Sequence, residues 1–134
     1  MGATSEGTKK YFEKHALPVP SIEFGRTSWS VSPIGFGTYR IDETHEAHAK
    51  ALKLALLKGC NLIDTSTNYM DGSSERAVGK VIAQLIDLGE ITRQNIVIVT
   101  KAGYVQGENM NLVRDAQNKK PFGDVVEYSE QCWH

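Results

Sequence analysis

Apolar residues recur along this chain in two rhythms. Between residues 44 and 58, Ala47, Ala51, Leu54, Ala55 and Lys58 trace one row of a helix, and Leu52 and Leu56 widen its apolar face. Asp42 or Thr44 can cap it, Glu43 and Glu46 suit its positive N-terminal end, and Gly59 can end it in a left-handed conformation. A second helix is expected over roughly 73–88. Its apolar pairs Ala77/Val78, Val81/Ile82 and Leu85/Ile86 return every four residues, Ser73 or Ser74 can cap it, and Gly89 stops it. Short apolar runs flank these helices. Residues 61–64 and the β-branched run 95–100 read as strands, the latter of the kind buried on both faces. Upstream, Ile22, Phe24, Trp29 and Val31 alternate around Gly25-Arg26-Thr27-Ser28, the pattern of a hairpin. Pro33 to Thr38 reads as a glycine-rich strand, open to close approach by other groups.

The order strand, helix, strand, helix, strand implies parallel pairing with right-handed crossovers. Such strands belong either to an open doubly wound sheet or to a closed eight-stranded barrel. Gly35-Phe36-Gly37 has only the first pair of a dinucleotide-binding glycine turn, and Tyr39-Arg40-Ile41 follow where the third glycine is wanted. That favours the barrel. Residues 1–21 are polar, close on Pro18 and Pro20, and read as a mobile tail with at most one helical turn around Tyr11 to His15. Gly103 to Gly123 reads as a long polar loop, after which Asp124 can cap a third helix.

The chemistry gathers at strand ends, where a barrel places its reactive groups. Asp64 closes one strand, Tyr69 follows it in a polar loop, and Lys101 closes the next strand. Taken singly, Asp64 is a turn cap, Tyr69 a packed loop residue and Lys101 a solvated cation. Taken together they are more. Neighbouring parallel strands lie about 4.8 Å apart, so their ends meet. The carboxylate then pairs with the ammonium, and the ammonium favours ionisation of the phenol. Such a tyrosine exchanges protons near neutral pH, as the reduction of a carbonyl requires. Gly37, Thr38 and Tyr39 form either a tight strand exit or a contact for a cofactor ring. His45 and His48 are expected on an exposed helix face, without a role.

Composition narrows the setting. The chain has 134 residues, 40% of them hydrophobic and 23% charged, with a net charge of -1. That balance gives no electrostatic case for nucleic acid or an anionic membrane. No apolar run approaches the roughly 20 residues that span a bilayer. The two cysteines, Cys60 and Cys132, lie far apart and match no metal-ligand spacing. A cytoplasmic protein without a metal is the expectation.

Three segments carry a family resemblance. Gly25-Arg26-Thr27 through Ser32-Pro33-Ile34-Gly35-Phe36-Gly37-Thr38-Tyr39 looks like the start of aldo-keto reductases. Asn61 to Ser66, then Tyr69 and Ser74-Glu75-Arg76-Ala77-Val78-Gly79, resembles their best-known signature, and Ile98-Val99-Thr100-Lys101 resembles their lysine strand. The likeness covers about residues 22–104. It implies an α/β fold, the N-terminal part of a (β/α)8 TIM barrel plugged by an N-terminal β-hairpin, with about three βα units and residues 22–134 as an incomplete barrel domain. It implies an oxidoreductase that reduces an aldehyde or ketone with NADP(H). Asp64, Tyr69 and Lys101 would be three of four catalytic residues, and Gly37, Thr38, Tyr39 and Asp64 would lie near the cofactor. The family's catalytic histidine lies at the end of the fourth strand. The 134 residues are accordingly expected to be a piece of a longer reductase, weakly active or inactive alone, with open sheet edges prone to self-association. A non-catalytic, reductase-like binding or regulatory protein is the second expectation.

Overall fold

The computed structural model describes residues 2–15, 18–103, 110–112 and 114–115. Helix α1 spans Ser5–Lys14. Strands β1 (Ile22–Glu23) and β2 (Ser30–Val31) pair antiparallel as the expected hairpin, with Ile22 opposite Val31. Gly25 and Ser28 take the left-handed backbone that its tight turn requires. Strand β3 (Phe36–Gly37), helix α2 (Glu46–Leu57), strand β4 (Leu62–Asp64), helix α3 (Ser73–Asp87) and strand β5 (Val97–Val99) follow in the anticipated order. The three strands form a parallel sheet, β3-β4-β5, with β4 in the middle.

Register decides which residues share a face. Phe36, Ile63 and Ile98 lie in one row across the sheet, and all three pack in the core beneath the helices. Ile63 is fully buried there with Leu52 and Leu56 of α2 and Val78, Val81, Ile82 and Leu85 of α3. Side chains alternate along a strand, so the next row, Gly37, Asp64 and Val99, belongs to the opposite face at the strands' C-terminal ends.

The α3 stripe is buried as its periodicity requires, except that Ile86 stays exposed. The α2 face differs from expectation. Its core side is Leu52 and Leu56 with Ala49, whereas Ala47, Ala51 and Leu54 face outward. The two small alanines supply too little apolar area to compete with the leucine pair for the sheet. The caps differ as well. His45, not Asp42 or Thr44, precedes α2, and Gly72 precedes α3, with no side-chain cap at either end. Asp42 Oδ1 instead accepts from the Thr44 N–H at 2.8 Å and from its hydroxyl at 2.9 Å, closing a turn ahead of the helix.

The N-terminal segment is the largest departure. The expected tail is a helix of ten residues, capped by Thr4, whose Oγ1 accepts from the Gly7 N–H at 3.0 Å. It buries Gly7, Thr8 and Tyr11. The Tyr11 hydroxyl donates to the Leu56 carbonyl, and its burial pushes the phenol well above the ordinary tyrosine range. A Cβ on Gly7 would stand 2.6 Å from the Gln94 carbonyl oxygen, so only glycine lets α1 lie this close. His15 is not a tail residue either. Its Nδ1 lies 3.2 Å from the Leu57 carbonyl and its Nε2 2.9 Å from that of Glu90. Within the expected loop 103–123, residues 110–112 and 114–115 are helical, and the rest of that loop beyond Gly103 is outside the described residues, as are the helix expected from Asp124, Lys119-Lys120, Cys132 and His134.

Two buried asparagines join these layers at the sheet's N-terminal end. Asn61 Oδ1 accepts from the Ser32 N–H at 2.9 Å, and its Nδ2 donates to the carbonyls of Ser30 (3.0 Å) and Asn95 (3.1 Å). Asn95 Nδ2 donates to the Gly7 carbonyl at 2.7 Å. Hairpin, sheet and α1 thus meet through side-chain amides. Among the described residues no helix is long and apolar enough to cross a membrane.

Replacing Asn61 by Ala removes the side-chain partner of three backbone groups at once, two buried and one partly buried. The expected loss is about 3 kcal/mol, since each unpaired buried group costs roughly 1 kcal/mol or more. A urea melt with an unchanged midpoint would show that the junction contributes nothing.

Candidate active site

Lys101 is where the site comes together. Its Nζ donates to Asp64 Oδ1 at 2.6 Å, to the Thr65 carbonyl at 2.9 Å and to Tyr69 Oη at 3.2 Å. An ammonium has three protons, and all three are used on β4 and the turn that follows it. The main chain of Lys101 is held by the same segment: its carbonyl accepts from the Thr67 N–H at 3.3 Å, the Thr67 hydroxyl at 3.2 Å and the Ser66 hydroxyl at 3.3 Å. The ladder prepares this meeting. Asp64 pairs with Val99, and the Thr65 N–H donates to the Val99 carbonyl at 2.8 Å, so Lys101 emerges level with the exit of β4.

Asp64 and Lys101 remain about half exposed, which screens their attraction. The hydrogen bond from Lys101 to Asp64 is the main cause of a raised lysine value, opposed by partial desolvation and reinforced by Tyr69. The ammonium therefore stays charged at neutral pH. Because Nζ donates to Tyr69 Oη, the phenol's own hydrogen is free to point elsewhere.

Tyr69 opens a short 3₁₀ turn, Tyr69–Gly72. Met70 (φ 48°), Asp71 (φ 52°) and Gly72 (φ 81°) are left-handed in succession. Glycine accepts this freely, whereas Met70 and Asp71 each pay about 1–2 kcal/mol. Beside the turn lies a cavity of about 670 Å³ lined by Tyr39, Arg40, His48, Asn68, Tyr69, Met70 and Asp71. The Tyr39 and Tyr69 rings meet edge to face at 5.2 Å.

The residues expected around a cofactor divide into two kinds. Gly37 and Tyr39 are exposed at the strand end, and a Cβ on Gly37 would meet nothing within 4 Å, which leaves open space above the sheet. Thr38 is fully buried, and its hydroxyl donates to the Asp64 carbonyl at 3.0 Å. Its side chain thus braces Asp64. His48, expected to be inert, lines the cavity. Its Nδ1 accepts from the Asp42 N–H at 3.0 Å, so the hydrogen of a neutral ring sits on Nε2. What sets His48 apart is the Asp42 N–H six residues earlier, which the loop ahead of α2 brings to its ring. Glu75, in the first turn of α3, accepts from the Thr100 hydroxyl at 2.6 Å. Among the described residues, no three His, Cys, Asp or Glu side chains gather as a metal site would require.

Residues 33–126 match the model of the aldo/keto reductase family. The chain belongs to that family. Over 98 residues it is 35% identical to a 6-dehydroglucose reductase of Novosphingobium aromaticivorans, an alignment covering 65% of this chain and 31% of that protein. An aldo-keto reductase from Bacillus halodurans, solved in its holo form, superposes with a TM-score of 0.55 and 28% identity, over 66% of this chain and 28% of the other. A thermostable aldo-keto reductase in complex with the inhibitor epalrestat gives 0.54 and 27%, over 75% and 37%. The chain thus spans about a third of the length of these relatives. Such relatives imply a (β/α)8 barrel, of which this aldo-keto reductase chain shows three parallel strands and two covering helices. Helix α1 precedes the matched residues altogether.

The raised lysine value sets a sign. Its contribution to stability is fully present below the ordinary lysine value and is lost as pH rises through the raised one. Asp64→Asn should return the Lys101 titration toward the ordinary value, followed by NMR at its Cε protons. An unmoved titration would mean that Asp64 does not hold the ammonium.

Proposed function

We propose that this chain supplies the proton-donating part of an NADP(H)-dependent reductase that converts an aldehyde or ketone to an alcohol. The observation that carries the reading is the position of Lys101 Nζ, shared between the Asp64 carboxylate and the Tyr69 phenol. Family membership and relatives named as reductases support it.

Lys101 donates to the phenolic oxygen and stabilises it whenever it carries negative charge. Tyr69 can therefore give its proton to a carbonyl oxygen seated in the adjoining cavity as negative charge develops there. In the alcohol-to-carbonyl direction the same oxygen takes the proton back. Asp64 and the Thr65 carbonyl keep the ammonium charged and aimed. When bound, NADP(H) supplies or accepts the hydride. The open space above Gly37, beside exposed Tyr39, fits a flat ring at the strand ends, while Thr38 and Asp64 frame it from below.

The cavity lining favours a polar substrate. Arg40 and the Nε2–H of His48 are donors, Asp71 is an acceptor, and Met70 and the tyrosine rings offer apolar contact. The Novosphingobium relative is named for a sugar-derived carbonyl, which agrees with such a lining.

Tyr69→Phe in the full-length gene product tests the assignment. NADPH oxidation with benzaldehyde should fall by about 10²–10⁴-fold, the usual worth of a positioned proton donor, while NADPH affinity stays nearly intact. Unchanged turnover would remove Tyr69 from the chemistry. An unsubstituted protein that binds NADPH but never oxidises it would favour the non-catalytic reading.

A further inference from the structure

The bend that carries Tyr69 needs an external hold. Met70 and Asp71 occupy a backbone region that side chains disfavour, and such residues persist only where their surroundings impose the conformation. The turn's own backbone closes it in part, through the Asp71 N–H on the Asn68 carbonyl at 3.3 Å and the Ser73 N–H on the carbonyls of Tyr69 and Met70. The side chain placed against it is Arg76, in the first turn of α3. Its Nη1 donates to the Asp71 carbonyl at 3.5 Å. It also lies over Gly72 so closely that a Cβ there would stand 2.9 Å from it. Gly72 is thus required twice, by its dihedral angle and by the guanidinium above it.

Arg76 is itself gripped from the other side. Its Nε donates to Glu43 Oε1 at 2.5 Å, and Lys80 Nζ donates to Glu43 Oε2 at 2.5 Å. The Glu43 side chain is only 18% exposed, whereas both cations lie at the surface. The segment after β3 is pinned again by the Glu43 N–H donating to Ser73 Oγ at 2.9 Å and by Ser73 Oγ donating to Asp42 Oδ1 at 3.1 Å. The hydrogen bonds from Lys80 and then Arg76 hold the Glu43 carboxyl below its ordinary value, so the bracket is charged at neutral pH.

We propose that Arg76, held by Glu43, is a positioning residue for Tyr69. It imposes the Met70–Gly72 bend and so keeps the phenol beside Lys101. This rests on the reading of Tyr69 as the proton donor. Neither residue lines the cavity or reaches Lys101, Asp64 or Tyr69 Oη, so the effect passes through the backbone alone.

The test uses the full-length gene product with NADPH and benzaldehyde. Arg76→Ala should lower kcat on the order of tenfold to a hundredfold, the cost of a small misplacement of a reacting group, with KM nearly unchanged. The pH profile of kcat should move as well, because the proton donor has lost its hydrogen bond from the Lys101 ammonium. A merely structural residue would lower the melting temperature and leave that profile in place. Should Arg76→Ala fail to fold, Glu43→Gln decides, with a smaller loss in the same direction and the same shift of the profile. Wild-type kcat and pH profile in the folded variants, with Tyr69→Phe inactive, would overturn the positioning role alone. Full turnover by Tyr69→Phe would overturn it together with the reading on which it rests.

Discussion

Parallel pairing of β4 with both its neighbours is the constraint from which the rest follows. The register puts Gly37, Asp64 and Val99 in one row at the C-terminal edge of the sheet. A slip by one residue would turn Ile63 out of the core and Asp64 into it, which side-chain alternation makes prohibitive. Ile63 is fully buried under two helices, so the hydrophobic core and the placement of the carboxylate are one decision. The lysine then needs no separate instruction. Two residues beyond β5 it stands level with the exit of β4, and the hydroxyls of Ser66 and Thr67 hold its carbonyl while its ammonium reaches back.

The two ends of the sheet are built from different interactions. At the N-terminal end, Asn61 and Asn95 carry the hairpin, the sheet and α1 on amide hydrogen bonds that are buried or partly buried. At the C-terminal end the groups are charged, half exposed and strained. Rigidity at one end and strain at the other is the distribution expected of a scaffold that carries a reactive site. The Glu43–Arg76 pair ties the segment after β3 to α3, whose Val78, Val81 and Leu85 are anchored in the core.

Much of this was legible in the residues. The fourfold spacing of Val78, Ile82 and Ile86 marks α3, the β-branched run marks β5, and an acid and a lysine closing neighbouring strands mark a meeting point. Other parts were not legible, for definite reasons. Helix α1 buries glycine, threonine and a single tyrosine, so it shows no apolar stripe, and it forms because Tyr11 finds Leu56 and Gly7 finds Gln94. The α2 face departs from its row pattern because alanines and Leu54 complete one helical row, while the sheet selects the side with two leucines. His48 became visible only when the backbone of Asp42 came to its ring.

By itself, then, the sequence determined whatever is periodic or adjacent: the kinds of elements, their order, the parallel connection and the acid, phenol and amine that the strand ends present. Local patterns suffice for these, since helix and strand periods and turn chemistry are read within a few residues. Only the tertiary structure decided how a lysine 37 residues from its carboxylate comes to lie 2.6 Å from it. It also decided which polar residues face inward, and how two residues in disfavoured backbone are held beside the tyrosine. These depend on groups distant in sequence arriving together, and each becomes favourable only once packing has removed the water that would otherwise satisfy its partners.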